Sequence, residues 1–336
     1  MPTLHLTTPG LRVVLDGKRI MVTPPVAEHM EPAPPVPVLL HEIERVFVSE
    51  RVAISFATIA ELLRRNLPVI ILSHREDILG LCQPPAPDNT LRLAQYQRAL
   101  DPAFALLIAA TIVEAKILNQ RRVLQRLAAN RPEADATAAC LALTRQSQDV
   151  LNATSLDSIR GHEGTSAARY FDAFGSYFPA TAPFERRSRR PPHNAVNAVL
   201  SYAYTLLAAE AECLLHSIGL DPAIGFLHEP ADRRPSLALD LIEPFRAPLA
   251  DAMALDLFSH QILHPREHFE KRDGGVFMNT EGKRRFFTAY ERRMERPFTS
   301  EQHGSRATLR AELERTAKSL KAAVSSGEPL EPFLMN

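Results

Sequence analysis

Gly225 to Arg246 reads GFLHEPADRRPSLALDLIEPFR. One histidine, His228, leads into a short apolar run that carries two acids, Asp240 and Glu243. Ser236, just after Pro235, has the side chain of a helix N-cap, so a helix is expected from Leu237. On that helix Asp240 and Glu243 stand three residues apart and share a face. Leu237, Leu239, Leu241 and Ile242 supply apolar packing on the other faces. Two carboxylates beside an apolar wall are costly unless something positive pairs with them. A divalent metal with His228 as a further ligand is one physical answer. Taken singly, His228 reads equally as a satisfied core histidine and the two acids as a solvated helix face.

Upstream of this stretch the chain is predominantly helical back to about Leu91. Leu91 to Asn130 reads as two helices, the second opened by Asp101-Pro102. Ala134 to Leu156 is a further helical span. Gly161-His162-Glu163-Gly164 then precedes a helix expected over Thr165 to Phe174, with Thr165 as its cap. A loop from Pro179 to Pro192 carries Arg186, Arg187, Arg189 and Arg190, and Ala195 to Ile218 is long, apolar and helical. Downstream, kinks are expected at Pro244 and Pro248, then helix over Ala250 to His264. A small hairpin at Gly274-Gly275 and helices over Phe286 to Met294 and Ala307 to Ser325 complete the chain.

The first 80 to 90 residues are different. Residues 4–23 alternate around Pro9-Gly10 and Asp16-Gly17, which is hairpin punctuation. A proline-rich link runs from Pro24 to Pro37. Short strands follow at Val38–Leu40, Arg45–Val48 and Val52–Ile54, and a helical pattern from Ile54 to Asn66 is started by Ser55. The expected fold class is α+β: a small β-rich N-terminal domain over 1–88 and a larger, mainly α-helical catalytic domain over 89–336.

Lys and Arg together equal Asp and Glu, 39 each, so global charge does not announce nucleic acid and any DNA binding rests on local patches. Cys82, Cys140 and Cys213 form neither a zinc pattern nor a disulfide framework, which fits a reducing cytoplasm. No uninterrupted apolar run of membrane-spanning length occurs, and the N-terminus lacks the pattern of a secretory signal. Walker, GxGxxG, GxSxG and HExxH motifs are absent. Glu163, with glycines close on both sides, reads from spacing alone as a helix-start acid or as a residue near a closely approaching ligand. The four arginines of the 179–192 loop form a patch suited to phosphates, or a solvated loop. Lys116, Arg121, Arg122 and Arg126 form a second basic run spread over more than one helix face. His260, His264 and His268 are spaced by four, but Pro265 interrupts them, so they read as surface histidines.

Together, RLAQYQRALDPAFAL (92–106), AKILNQRRVLQRLA (115–128), SIRGHEGTSAARYF (158–171), RRSRRPPHNAVNAVLSYAYTLL (186–207), the 219–246 stretch and GVFMNTEGKRRFFTAYERRM (275–294) resemble the CRISPR adaptation integrase family, the CRISPR-associated endonuclease one (Cas-one) proteins. The resemblance implies metal-dependent DNA strand transfer with nuclease and branched-DNA resolving activity. It implies Glu163, His228 and Glu243 as catalytic metal ligands, and Asp240 as an acid supporting them or holding a second metal. Carboxylates with one imidazole suit Mg2+ or Mn2+ better than zinc. Expected partners are double-stranded and branched DNA, a second copy in a homodimer formed through the N-terminal domain, and the small companion protein Cas-two. A stand-alone metal-dependent DNA repair nuclease and a non-catalytic DNA-binding scaffold are the rival readings.

Overall fold

The computed structural model describes residues 3–26, 33–74, 78–85, 89–131, 135–188 and 191–336. The chain divides into two compact units, Met1–Pro85 and Ala86–Asn336. The architecture is α+β, strands gathered in the first unit and helices in the second.

In the first unit come β1 (Thr3–Leu6), β2 (Arg12–Asp16), β3 (Arg19–Thr23), β4 (Val36–Leu39), β5 (Arg45–Ser49), β6 (Ala53–Ile54), helix α1 (Phe56–Arg64), β7 (Val69–Leu72) and β8 (Ile78–Cys82). They form two four-stranded sheets, ordered β1-β5-β7-β8 and β4-β3-β2-β6. Asp16-Gly17 closes a hairpin as expected, with Asp16 opposite Arg19 and Gly17 at φ 62°, the left-handed backbone a two-residue turn demands. Pro9-Gly10 does not make a hairpin. There the chain changes sheets, since β1 runs parallel to β5 while β2 pairs with β3. Pro37 lies within the edge strand β4, where a missing amide is tolerated, so the proline-rich link ends earlier than expected. Ser55 caps α1 by accepting the Thr58 amide. Val13, Ile20, Leu40, Val46, Leu62 and Val69 form the unit's buried core.

The second unit contains α2 (Asn89–Ala99), α3 (Pro102–Asn130), α4 (Thr137–Asp149), α5 (Leu156–Gly175), α6 (Ala195–Ser217), α7 (Ser236–Ile242), α8 (Ala252–Ser259), β9 (Phe269–Arg272), β10 (Gly275–Met278), α9 (Thr280–Glu295), β11 (Phe298–Ser300), β12 (Ser305–Ala307) and α10 (Leu309–Ser326). Asp101 accepts the Ala103 amide and Pro102 fills the first turn, so α3 starts where the sequence places it. Its long buried face runs from Ala105 to Leu124, and α4, α5 and a 3-10 turn at Glu243–Phe245 pack against it. By length and composition α3 and α6 are long and apolar enough to cross a membrane, although neither is an uninterrupted apolar run. Both are core helices, with 56% and 72% of their apolar windows buried.

Several local expectations are corrected. Helix α5 begins at Leu156, capped by Ser155, and runs straight through Gly161 to Gly164. Glu163 is therefore a mid-helix residue, neither preceding the helix nor complementing its start, and Thr165 is no cap. Two glycines in a helix cost about 1 kcal/mol each against alanine, a cost that a 20-residue helix packed on α3 and α4 absorbs. Ser236 is the first residue of α7 and makes no cap; its hydroxyl donates to the Glu229 carbonyl. The prolines do not kink one helix but replace it, giving the 3-10 turn at Glu243–Phe245 and a π-helical turn at Arg246–Asp251. His268 is buried, not a surface histidine, because its Nδ1 accepts the His264 amide at 2.8 Å. The β11–β12 pairing has no counterpart in the sequence reading.

Candidate active site

Asp240, fully buried in α7, organises the GFLH segment. Its Oδ2 accepts the amides of Phe226 (2.6 Å) and Leu227 (3.0 Å), and its Oδ1 accepts the amide of His228 (3.0 Å). The same Oδ1 lies 2.6 Å from His228 Nδ1. One carboxylate thus satisfies three successive backbone donors and orients the imidazole, as a charge wrapped in N–H groups can. Gly225 makes this possible: a Cβ there would lie 2.8 Å from Asp240 Oδ2 and 2.8 Å from the His228 carbonyl. With Nδ1 held by a carboxylate, Nε2 is the free nitrogen, and it faces Glu243 Oε1 at 3.9 Å.

Glu243 opens the 3-10 turn and is 3% exposed. Its Oε2 lies 2.6 Å from Lys116 Nζ and its Oε1 lies 2.9 Å from Arg246 Nη2. Burial pushes its carboxyl up, but Arg246, Lys116 and His228 prevail and bring it down to about 2. Glu163, from the middle of α5, accepts a hydrogen bond from the same Lys116 ammonium. Its side chain is 31% exposed and that of His228 30% exposed, so the site is buried at Glu243 and open at the other two.

Lys116 is the residue the sequence reading missed. It was grouped with Arg121, Arg122 and Arg126 as a basic run, yet it is buried and bridges Glu163 and Glu243. The available signal is a lone lysine among Val113, Ala115 and Ile117 on an apolar helix, which demands carboxylate partners. Arg246 was also missed, although it lies three residues beyond Glu243, a spacing that pairs charges on a helix. Asn119 supports the turn from α3: its Nδ2 donates to the Pro244 carbonyl (2.7 Å) and the Phe333 carbonyl (2.9 Å), and its Oδ1 accepts the Met335 amide (2.7 Å).

Among the described residues no group of three or more His, Cys, Asp or Glu is gathered as metal ligands. The Lys116 ammonium stands between the two glutamates. The donor set nonetheless fits a hard divalent ion. Two carboxylates converge on one cation position, and an imidazole with its other nitrogen fixed by a carboxylate stands beside them, the usual way a ligating histidine is oriented.

The arginine loop is divided. Arg186 is exposed. Arg187 turns inward: it hydrogen-bonds Asn197 Oδ1 at 2.8 Å and Ser201, and lies over the Tyr204 ring at 5.1 Å. These contacts hold its guanidinium against α6. Arg189 and Arg190 lie outside the described residues. Arg246 covers the same ring at 4.8 Å, and the Tyr204 hydroxyl donates to Asp251. Burial raises the Asp251 carboxyl to about 6 against the pull of the Tyr204 hydrogen bond and of Arg187 and Arg246.

A β-rich unit followed by a helical unit is an architecture this chain shares with solved structures. A casposase bound to integration product has the same fold, with a TM-score of 0.87 at 25% identity, covering 98% of this chain and 92% of that one. A CAS1 protein from Thermotoga maritima, 22% identical over the whole of both chains, shares the fold at a TM-score of 0.80. The chain belongs to the family of CRISPR associated protein Cas1, which its residues 4–292 match. A CRISPR-associated endonuclease Cas1 of Chlorobaculum tepidum is 32% identical over 314 residues, 89% of each chain. A Cas4 exonuclease/Cas1 endonuclease fusion of Geobacter sulfurreducens is 35% identical over 304 residues, which are 87% of this chain and 54% of the fusion. The chain thus spans about half the length of that fusion relative.

Proposed function

We propose that this chain is a CRISPR adaptation integrase: an endonuclease that inserts new DNA segments into a CRISPR array by metal-dependent strand transfer. The observation that carries this reading is the convergence of Glu163 and Glu243 on one cation position beside an imidazole pinned by Asp240. Family membership and the casposase likeness support it independently. Glu163, His228 and Glu243 would hold the ion, Mg2+ or Mn2+, and Asp240 would act through His228 as a positioning residue, not as a ligand of a second metal, because its oxygens are already engaged by three amides and Nδ1. A bound divalent ion supplies Lewis-acid stabilisation of charge on the transferring phosphate.

The chain's own groups do the rest. The 3′-hydroxyl of a short DNA segment attacks a phosphodiester at the edge of a CRISPR repeat, and the strand's 3′-oxygen departs; one phosphodiester forms as one breaks. Lys116 and Arg246 supply positive charge where the phosphorane accumulates negative charge. His228 Nε2, with Nδ1 committed to Asp240, serves as ligand or accepts the attacking hydroxyl's proton. Reversal of the same step resolves branched DNA, and water in place of the hydroxyl gives plain cutting.

Partners follow from the same reading. One structural neighbour is a Cas6-RT-Cas1–Cas2 complex, which supports the small companion Cas-two as a partner of this chain, besides double-stranded and branched DNA. The β-rich unit is the proposed homodimer contact, and the cytoplasm the proposed compartment. The test is a branched-DNA assay with Mg2+ or Mn2+, comparing wild type with Glu243→Ala. The expected result is a rejoined strand in wild type and none in the variant. Cutting without rejoining would establish the repair-nuclease rival, and DNA binding with no chemistry in either protein the scaffold.

A further inference from the structure

One ammonium bridges two carboxylates that come from separate helical segments, α5 and the turn after α7, the second of them also paired with Arg246. Lys116 Nζ hydrogen-bonds Glu163 and stands 2.6 Å from Glu243 Oε2, with Lys116 only 6% exposed. Removing a buried cation from between two acids leaves like charges facing each other, which is strongly unfavourable unless another cation replaces it. The same two oxygens cannot hold an ammonium and a divalent ion between them at once. Lysine, unlike arginine, is a compact charge on a flexible four-carbon stem, with no forked geometry tying it to one partner. The exposed side of the site at Glu163 and His228 gives its head somewhere to go.

Resting on the strand-transfer reading above, we propose that Lys116 is an exchangeable cation. In the metal-free chain it closes the Glu163–Glu243 pair and keeps the site assembled. When a divalent ion takes those oxygens, Lys116 withdraws its ammonium toward the open side and places it on a non-bridging oxygen of the DNA phosphate. Charge is conserved at each stage: the carboxylates are never left without a cation, and the phosphate gains one as the ion enters. Metal binding and DNA binding are thereby coupled, each favouring the state in which Lys116 has left the glutamates.

The test measures Mn2+ binding by calorimetry in wild type, Lys116→Met and Glu243→Gln, with and without a branched duplex. Lys116→Met should bind Mn2+ at least tenfold more tightly than wild type without DNA. The duplex should tighten Mn2+ binding in wild type and leave it unchanged in Lys116→Met. Equal affinity in wild type and Lys116→Met, with binding lost in Glu243→Gln, overturns the exchange while leaving the metal site standing. Absence of any Mn2+ binding that Glu243→Gln removes overturns the metal site itself. A measurement on wild type covers the case of an unfolded variant. In protein labelled with 15N-lysine, the ammonium signal of Lys116, one of six lysines, should shift on saturation with Mg2+ while the other five hold still. Six unmoved signals at saturation overturn the proposal.

Discussion

Asp251 shows what a single buried carboxyl costs near this site. Burial raises it to about 6 despite the hydrogen bond from Tyr204 and the charges of Arg187 and Arg246. A carboxyl raised on folding contributes stability below its unfolded value near 3.8, and that contribution is lost as pH rises through about 6. Above that pH the ionised group costs on the order of 3 kcal/mol, at 1.36 kcal/mol per unit. Asp251→Asn keeps an oxygen to accept the Tyr204 hydroxyl and removes the charge. Urea unfolding should therefore show the variant less dependent on pH between 4 and 6 than wild type, and more stable above 6. Residue-scale legibility was uneven. Asp240, Glu243 and His228 stood out because acids and an imidazole in an apolar run need explaining. Lys116 did not, because Arg121, Arg122 and Arg126 place it in a basic run, and its carboxylate partners Glu163 and Glu243 lie far along the chain.

At the scale of elements, the turn that carries Glu243 is held from outside. A helix that gives way to a 3-10 turn at Pro244 and a π-helical turn at Arg246–Asp251 leaves carbonyls that no longer find partners within their own helix. Asn119 on α3 takes one of them, the Pro244 carbonyl, and ties it to the Phe333 carbonyl and the Met335 amide. Asn119→Ala orphans three backbone groups, two of them buried, and should cost about 3 kcal/mol at the lower end of the usual penalty per group. Urea unfolding checks the stability loss, and strand-transfer activity should fall with it because Glu243 is no longer fixed against Lys116. Helices α1 and α3 were legible from their caps, Ser55 for α1 and Asp101 for α3. Helix α5 was not, because Gly161 and Gly164 imitate a boundary; Ser155 and packing on α3 decide otherwise. The break between β1 and β2 was hidden in the same way, since Pro9-Gly10 is as good a sheet-changing turn as a hairpin turn.

At the scale of the whole molecule, the α+β division follows from a change in periodicity and from the prolines near residue 85. The site follows from neither. Lys116, Glu163, His228 and Glu243 come from four segments spread over 128 residues of sequence, and only the packing of α5, α7 and the 3-10 turn around α3 brings them together. That convergence is the central claim, and a crystal soaked in Mn2+ tests it directly through an anomalous difference map. One strong peak is expected, bounded by Glu163, His228 Nε2 and Glu243, with the Lys116 ammonium moved off the glutamates. A map with the ammonium still in place and manganese bound elsewhere, or nowhere, contradicts it.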